Sequence, residues 1–191
     1  MSKIIYLHGF ASIGKSPKTD VLVEMFGADH VVFPDLPIDP DAVESLVNEI
    51  VMQNKDEPLI FVGTSLGGFW ANYFAQKWDS PCVLVNPLIE ASEGMQLRVG
   101  LDLCNYYTNE PIVVTESIVA KFRVREEFVA ANSNGALINL FVAKDDEVIP
   151  FQPTLDALPY YASCIVKETG GHRFSENWAE VVAKVKELSE E

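Results

Sequence analysis

At 191 residues, with 48% apolar and 22% charged side chains, the chain is long enough for one domain with a sizeable core and too apolar to be disordered. A formal net charge of −14 repels nucleic acid and anionic bilayers at long range, so neither is an expected partner. Cys82, Cys104 and Cys164 cannot all pair within one chain and have no metal-ligand spacing, which points to a reducing cytoplasm and to no metal.

The opening residues Met1 to His8 contain too short an apolar stretch for a signal peptide, and no run reaches the length of a membrane-spanning helix. Residues 3–7 read as the first strand. The next segment, 9–16, satisfies G-x-x-x-x-G-K-[ST], the pattern of a phosphate-binding loop. Such a loop needs its Ser or Thr in the first turn of a helix. Pro17 pushes Ser16 out of the α region. No convincing magnesium-binding aspartate follows a neighbouring strand. Asp35, behind Pro34, is the best offer, so nucleotide binding at 9–16 is disfavoured.

Further strands are expected at 30–33, 59–62, 82–85, 136–142 and 163–167. Their near-continuous apolar character suits burial on both faces of a parallel sheet. Helices alternate with them. Val43, Leu46, Val47, Ile50 and Val51 recur at helical spacing. So do Trp178, Val181, Val182, Val185 and Leu188, with Ser175 as the N-cap candidate. Residues 66–78 read as another helix. The alternation predicts a single α/β domain over 1–191, with a doubly wound, mostly parallel sheet of about six strands. Residues 87–131 break the alternation. They contain helical pieces, including 115–122, and no confident strand. They leave from a strand end on the ligand side of the sheet, so a small helical cap is expected there.

Gly63-Thr64-Ser65-Leu66-Gly67 sits between the 59–62 strand and the 66–78 helix. A serine at the tip of a strand-to-helix turn has a strained backbone and an outward-facing hydroxyl. The turn demands small residues two before and two after it, here Gly63 and Gly67. A serine nucleophile needs a base, an orienting acid and oxyanion donors. His172 follows a strand and the Gly170-Gly171 bend and precedes the last helix, where the base is expected. His30 starts a strand and reads as structural. The acid belongs between Ser65 and His172. Asp145 and Asp146 both follow the 136–142 strand, and spacing alone does not separate them. The backbone N–H groups of Leu66 and Phe10 are the expected oxyanion donors. Gly9 lets the chain turn close to the site, and His8 reads as an orienting residue.

With these parts in order, the chain resembles an α/β-hydrolase, and more narrowly the YqiA-type bacterial esterases. The likeness covers nearly the whole chain. It rests on Tyr6-Leu7-His8-Gly9-Phe10, Gly63 to Gly68, Val85-Asn86-Pro87, Asp146-Glu147-Val148, Tyr160-Tyr161-Ala162-Ser163-Cys164 and Gly170-Gly171-His172. The Tyr160 to Cys164 stretch has no catalytic logic and marks kinship. The resemblance implies a minimal single-domain serine esterase without cofactor, acting on small acyl esters or thioesters. It also implies that the acid is the aspartate before Glu-Val, which is Asp146. Asp145 stands where the family pattern usually has glycine. The 87–131 segment matches least, so substrate preference carries over poorly.

Two alternatives share these residues. One is an acyl-CoA thioesterase, with Lys121, Arg123 and Arg125 holding phosphates. The other is a binding protein that keeps the fold without turnover. Phe69, Trp70, Tyr106 and Tyr107 are as consistent with core as with an acyl pocket. Oligomeric state has no sequence signature here.

Overall fold

The computed structural model describes residues 2–158 and 160–190. In chain order the elements are β1 (Lys3–Leu7), α1 (Pro17–Phe26), β2 (Val31–Val32), α2 (Pro40–Gln53), β3 (Leu59–Thr64), α3 (Leu66–Trp78) and β4 (Cys82–Val85). Then come α4 (Ala91–Gln96), β5 (Leu103–Cys104), β6 (Pro111–Ile112), α5 (Glu116–Asn132), β7 (Ile138–Ala143), α6 (Phe151–Ala157), β8 (Ser163–Lys167) and α7 (Trp178–Ser189). Six strands form one sheet in the order β2-β1-β3-β4-β7-β8, and every pairing in it is parallel.

Every residue of β1, β3, β4 and β7 is buried, because helices cover both faces. Alternation of side chains divides the core in two. Ile5, Leu7, Phe61, Leu84, Leu140 and Val142 face α2, α3 and α5. Ile4, Tyr6, Val62, Val83, Phe141 and Ala143 face α1 and α7. This is the doubly wound arrangement expected from the alternation.

The register brings the strand ends together. Leu7 pairs with Gly63, Thr64 with Val85, Val85 with Phe141, and Ala143 with Lys167. The loops that follow these residues therefore leave from one edge of the sheet. The chain reverses direction across the sheet between β1 and β3. The crevice beyond the strand ends at such a reversal is where ligands bind in open α/β sheets.

Four local expectations need correction. The 30–33 strand is shorter, since His30 closes a 3-10 turn and only Val31 and Val32 pair with β1. The strand expected at 136–142 starts at Ile138, because the Asn134 side chain accepts from Ala136 N and holds a 3-10 turn over Gly135–Leu137. Asn177, not Ser175, precedes the last helix, and its side chain makes no capping bond. The 87–131 segment contains an antiparallel pair, Leu103 with Ile112 and Cys104 with Pro111. Two residues per strand are too few to show a periodicity. No helix among the described residues is long and apolar enough to cross a membrane.

Candidate active site

Ser65 has φ 56° and ψ −126°, a conformation unfavourable to any residue with a side chain. Backbone bonds hold it there. Ser65 N donates to Val85 O at 3.1 Å, and Ser65 O accepts from Gly68 N at 2.8 Å and Leu88 N at 3.0 Å. The turn closes because residues 63 and 67 lack side chains. A Cβ on Gly63 would collide with Gly67 O, and one on Gly67 would collide with Leu7 O. Ser65 precedes α3 without capping it, so its hydroxyl is uncommitted to the helix. Leu66 is the first residue of α3, and its N–H has no carbonyl partner within that helix.

The loop after β1 lies against this turn. A Cβ built on Gly9 would sit 3.1 Å from Ser65 Cβ and 3.6 Å from Ser65 Oγ. His8 is buried and committed on both ring nitrogens. Nε2 accepts from Leu36 N at 2.8 Å, so Nδ1 carries the proton and donates to Gly9 O at 2.8 Å. Burial holds its pKa below the ordinary imidazole value. His8 thus links the loop after β1 to Leu36. Ser16 is extended (φ −157°, ψ 167°) and caps α1, with Pro17 as the first helical residue. Gly14 N donates to Asp35 Oδ1 at 2.6 Å, and a Cβ on Gly14 would collide with Phe33 O.

Three consecutive acids after β7 grip the histidine loop, each at a different point. Asp145 accepts from Gly170 N at 3.3 Å and Gly171 N at 2.8 Å. Glu147 Oε2 accepts from His172 N at 2.9 Å. Asp146 meets the ring: His172 Nδ1 is 3.0 Å from Oδ1 and 2.9 Å from Oδ2. The Asp146 side chain is 0% exposed, but Val148 N and Ile149 N each donate to Oδ1 at 2.8 Å. A buried carboxylate with three donors is satisfied. The pairing puts the His172 proton on Nδ1 and leaves Nε2 free to accept. Asp145, the alternative left open by spacing, holds backbone instead. No hydrogen bond joins Ser65 Oγ to the ring among the described residues. Such contacts are often long before substrate binds.

The 87–131 segment touches the loop after β1. Tyr106 N donates to Ala11 O at 2.9 Å and Asn105 Nδ2 donates to Ser12 O at 2.8 Å. The Arg98 guanidinium lies 4.9 Å from the centre of the Phe10 ring. Between these parts is a cavity of about 210 Å³, bordered by Phe10, Leu66, Trp70, Ile112 and Phe122, with Asn105 and Glu110 as polar wall. Of the four aromatics left open, Trp70 borders this cavity and Phe69 is core. Tyr106 and Tyr107 are exposed, at 75% and 56%.

The basic cluster suggested for phosphates is not available as such. Lys121 pairs with Asp39 and Asp41, both at 2.7 Å, and Arg125 pairs with Asp41 and Glu44, both at 2.7 Å. Hydrogen bonds from Lys121 hold Asp39 below the ordinary carboxylate range, and those from Lys121 and Arg125 do the same for Asp41. These ion pairs join α5 to the start of α2. Of the three cations Arg123 is exposed. No group of three or more His, Cys, Asp or Glu residues among those described is arranged to hold a metal ion.

Three comparisons bear on this geometry. The model of the "Uncharacterised protein family (UPF0227)" matches residues 3–190. "UPF0227 protein YcfP" of Escherichia coli O9:H4 (strain HS) is 26% identical over 181 residues, covering 90% of each chain. Among solved structures, mouse alpha/beta hydrolase domain-containing protein 10 superposes with a TM-score of 0.71 at 16% identity, covering 97% of this chain and 88% of that one. A monoacylglycerol lipase from Paleococcus ferrophilus superposes with a TM-score of 0.67 at 15% identity, covering 97% and 94%. At such identities the likeness concerns the fold. The chain belongs to the uncharacterised protein family UPF0227 and has the α/β-hydrolase fold.

Proposed function

We propose that this protein is a serine hydrolase that cleaves small acyl esters through a covalent acyl-enzyme. The observation that carries the reading is the His172–Asp146 pair, in which Nδ1 meets both carboxylate oxygens on a loop gripped by two further acids. A serine strained at the tip of a β-to-α turn supports it. So does the hydrolase fold, shared with a lipase.

In this mechanism Ser65 Oγ attacks the ester carbonyl carbon while His172 Nε2 takes its proton. Asp146 keeps the ring in the required tautomer and stabilises the imidazolium. The oxyanion receives hydrogen bonds from Leu66 N–H and Phe10 N–H, and Gly9 allows the close approach of that loop. The imidazolium then protonates the leaving alcohol. Water then attacks the acyl carbon as Nε2 takes its proton, and the imidazolium returns that proton to Ser65 Oγ as the bond to the acyl carbon breaks and the acid leaves. The acyl group fits the cavity beside Phe10 and Trp70, and the 87–131 segment acts as its cap.

No separate observation favours acyl-CoA. The cations that would have held its phosphates are largely neutralised by α2. The test is a panel of activated esters of increasing acyl length, run on wild type and Ser65→Ala. Turnover confined to short acyl chains and lost in the variant is the expected result. Equal turnover by the variant rejects the nucleophile.

A further inference from the structure

The Asn86 side chain makes three backbone hydrogen bonds, and they reach two of the loops named above. It is buried at the end of β4 and has φ 42°. Asn is among the few residues other than glycine that tolerate such a backbone. Its Oδ1 accepts from Ala143 N at 2.9 Å, at the root of the acid loop. That bond fixes the orientation of the amide. Its Nδ2 then donates to Gly171 O at 2.9 Å and to His172 O at 3.2 Å, in the base loop.

The third loop is held by the neighbours of Asn86. Val85 O accepts from Ser65 N, and Leu88 N donates to Ser65 O. The main chain at 85–88 thus fixes the serine turn, and one side chain within it fixes the other two loops. Asp145 and Glu147 grip the histidine loop by its N–H groups. Asn86 grips the same loop by its carbonyls, from the opposite polarity. The donors and acceptors of residues 171–172 are shared between two strand ends.

We propose that Asn86 is a positioning residue that sets the distance between Ser65 and His172. This rests on the proposed reading of those two residues as nucleophile and base. The hydrogen bonds of the Asn86 side chain go to backbone atoms, so it acts through the backbone that carries the ring and the hydroxyl. A serine and a base misplaced by ~1 Å lose roughly 100-fold in rate.

Two variants separate the possible causes. Asn86→Asp keeps the acceptor for Ala143 N and removes both donated bonds. Asn86→Gly removes the whole side chain and keeps the positive φ without strain. Each is assayed, at a temperature where circular dichroism shows it folded, for kcat and KM on an activated ester and for the rate of fluorophosphonate labelling. The proton between His172 and Asp146 is followed as a low-field nuclear magnetic resonance signal. Both variants are expected to lose about 10–100-fold in kcat with KM within about twofold of wild type, to label more slowly in proportion, and to broaden that signal. Asn86→Ser, which keeps a short donor, is expected to recover part of the loss. Wild-type kcat and labelling in folded Asn86→Gly or Asn86→Asp overturn the proposal, even if the melting temperature falls. Ser65→Ala distinguishes the two failures. If it is inactive while the Asn86 variants match wild type, only the positioning role is lost. If it turns over ester like wild type, the nucleophile reading is the one that fails.

Discussion

His172 Nδ1 lies 2.9 and 3.0 Å from the two carboxylate oxygens of Asp146. The acids on either side of Asp146 hold the backbone under the ring, so the pair is fixed from both ends. Asp146→Asn keeps the shape but no longer favours the proton on Nδ1. Turnover is expected to fall about 10³–10⁴-fold. Asp145→Asn and Glu147→Gln loosen the loop without altering the tautomer, and roughly tenfold losses are expected. Steady-state kinetics on the three variants check the ranking. Equal losses in all three contradict the assigned roles.

The turn that carries Ser65 leaves no room for a side chain at residue 63 or 67. Gly63→Ala and Gly67→Ala each drive a methyl group into a backbone carbonyl, which cannot swing aside as a side chain does. A loss of about 2–4 kcal/mol is expected for each, or failure to fold. Urea denaturation measures it.

His8 gives the fold a pH dependence. Burial lowers its folded pKa beneath the 6.5 of a free imidazole. Above that pH both states are neutral, and the stabilising contribution is fully present. As pH falls below 6.5 the unfolded chain takes up a proton that the native His8 resists, so stability declines until the folded pKa is passed. Protonation of Nε2 also breaks the bond from Leu36 N. Stability of wild type is expected to fall more steeply between pH 7 and 5 than that of His8→Gln. Parallel curves contradict this.

Arg125 is buried and joins α5 to Asp41 and Glu44 of α2. Arg125→Met removes one partner from each of two acids, while Asp41 keeps Lys121 and Glu44 keeps Lys77. Asp41 is 59% exposed and recovers solvent, which limits the cost. A loss of about 1–2 kcal/mol is expected, or roughly 2–8 °C in Tm, with smaller change in turnover per folded molecule. Calorimetry at low and high salt tests whether the clamp is ionic.

Much of the sheet was legible because its strands are buried on both faces and read as continuous apolar runs, as in Ile60-Phe61-Val62. Boundaries were less so. At 134–138 a side-chain bond from Asn134 delayed the strand, and at 175–178 two polar residues competed for the helix start. The serine turn was legible from its glycines. The roles of Asp145 and Glu147 were not, because three acids in a row look like a solvated loop until the backbone they bind is in view. The ion pairs of Lys121 and Arg125 were not legible either, because their partners Asp39 and Asp41 lie some eighty residues away at the start of α2. The hairpin at 103–112 was too short to leave a pattern.

The most direct measurement is covalent. Wild type treated with a fluorophosphonate is digested, and the modified peptide is mapped by mass spectrometry. A single adduct on Ser65, absent from Ser65→Ala and strongly slowed in His172→Ala, is the predicted result. No adduct on Ser65, or labelling of that serine at full rate without His172, contradicts the account.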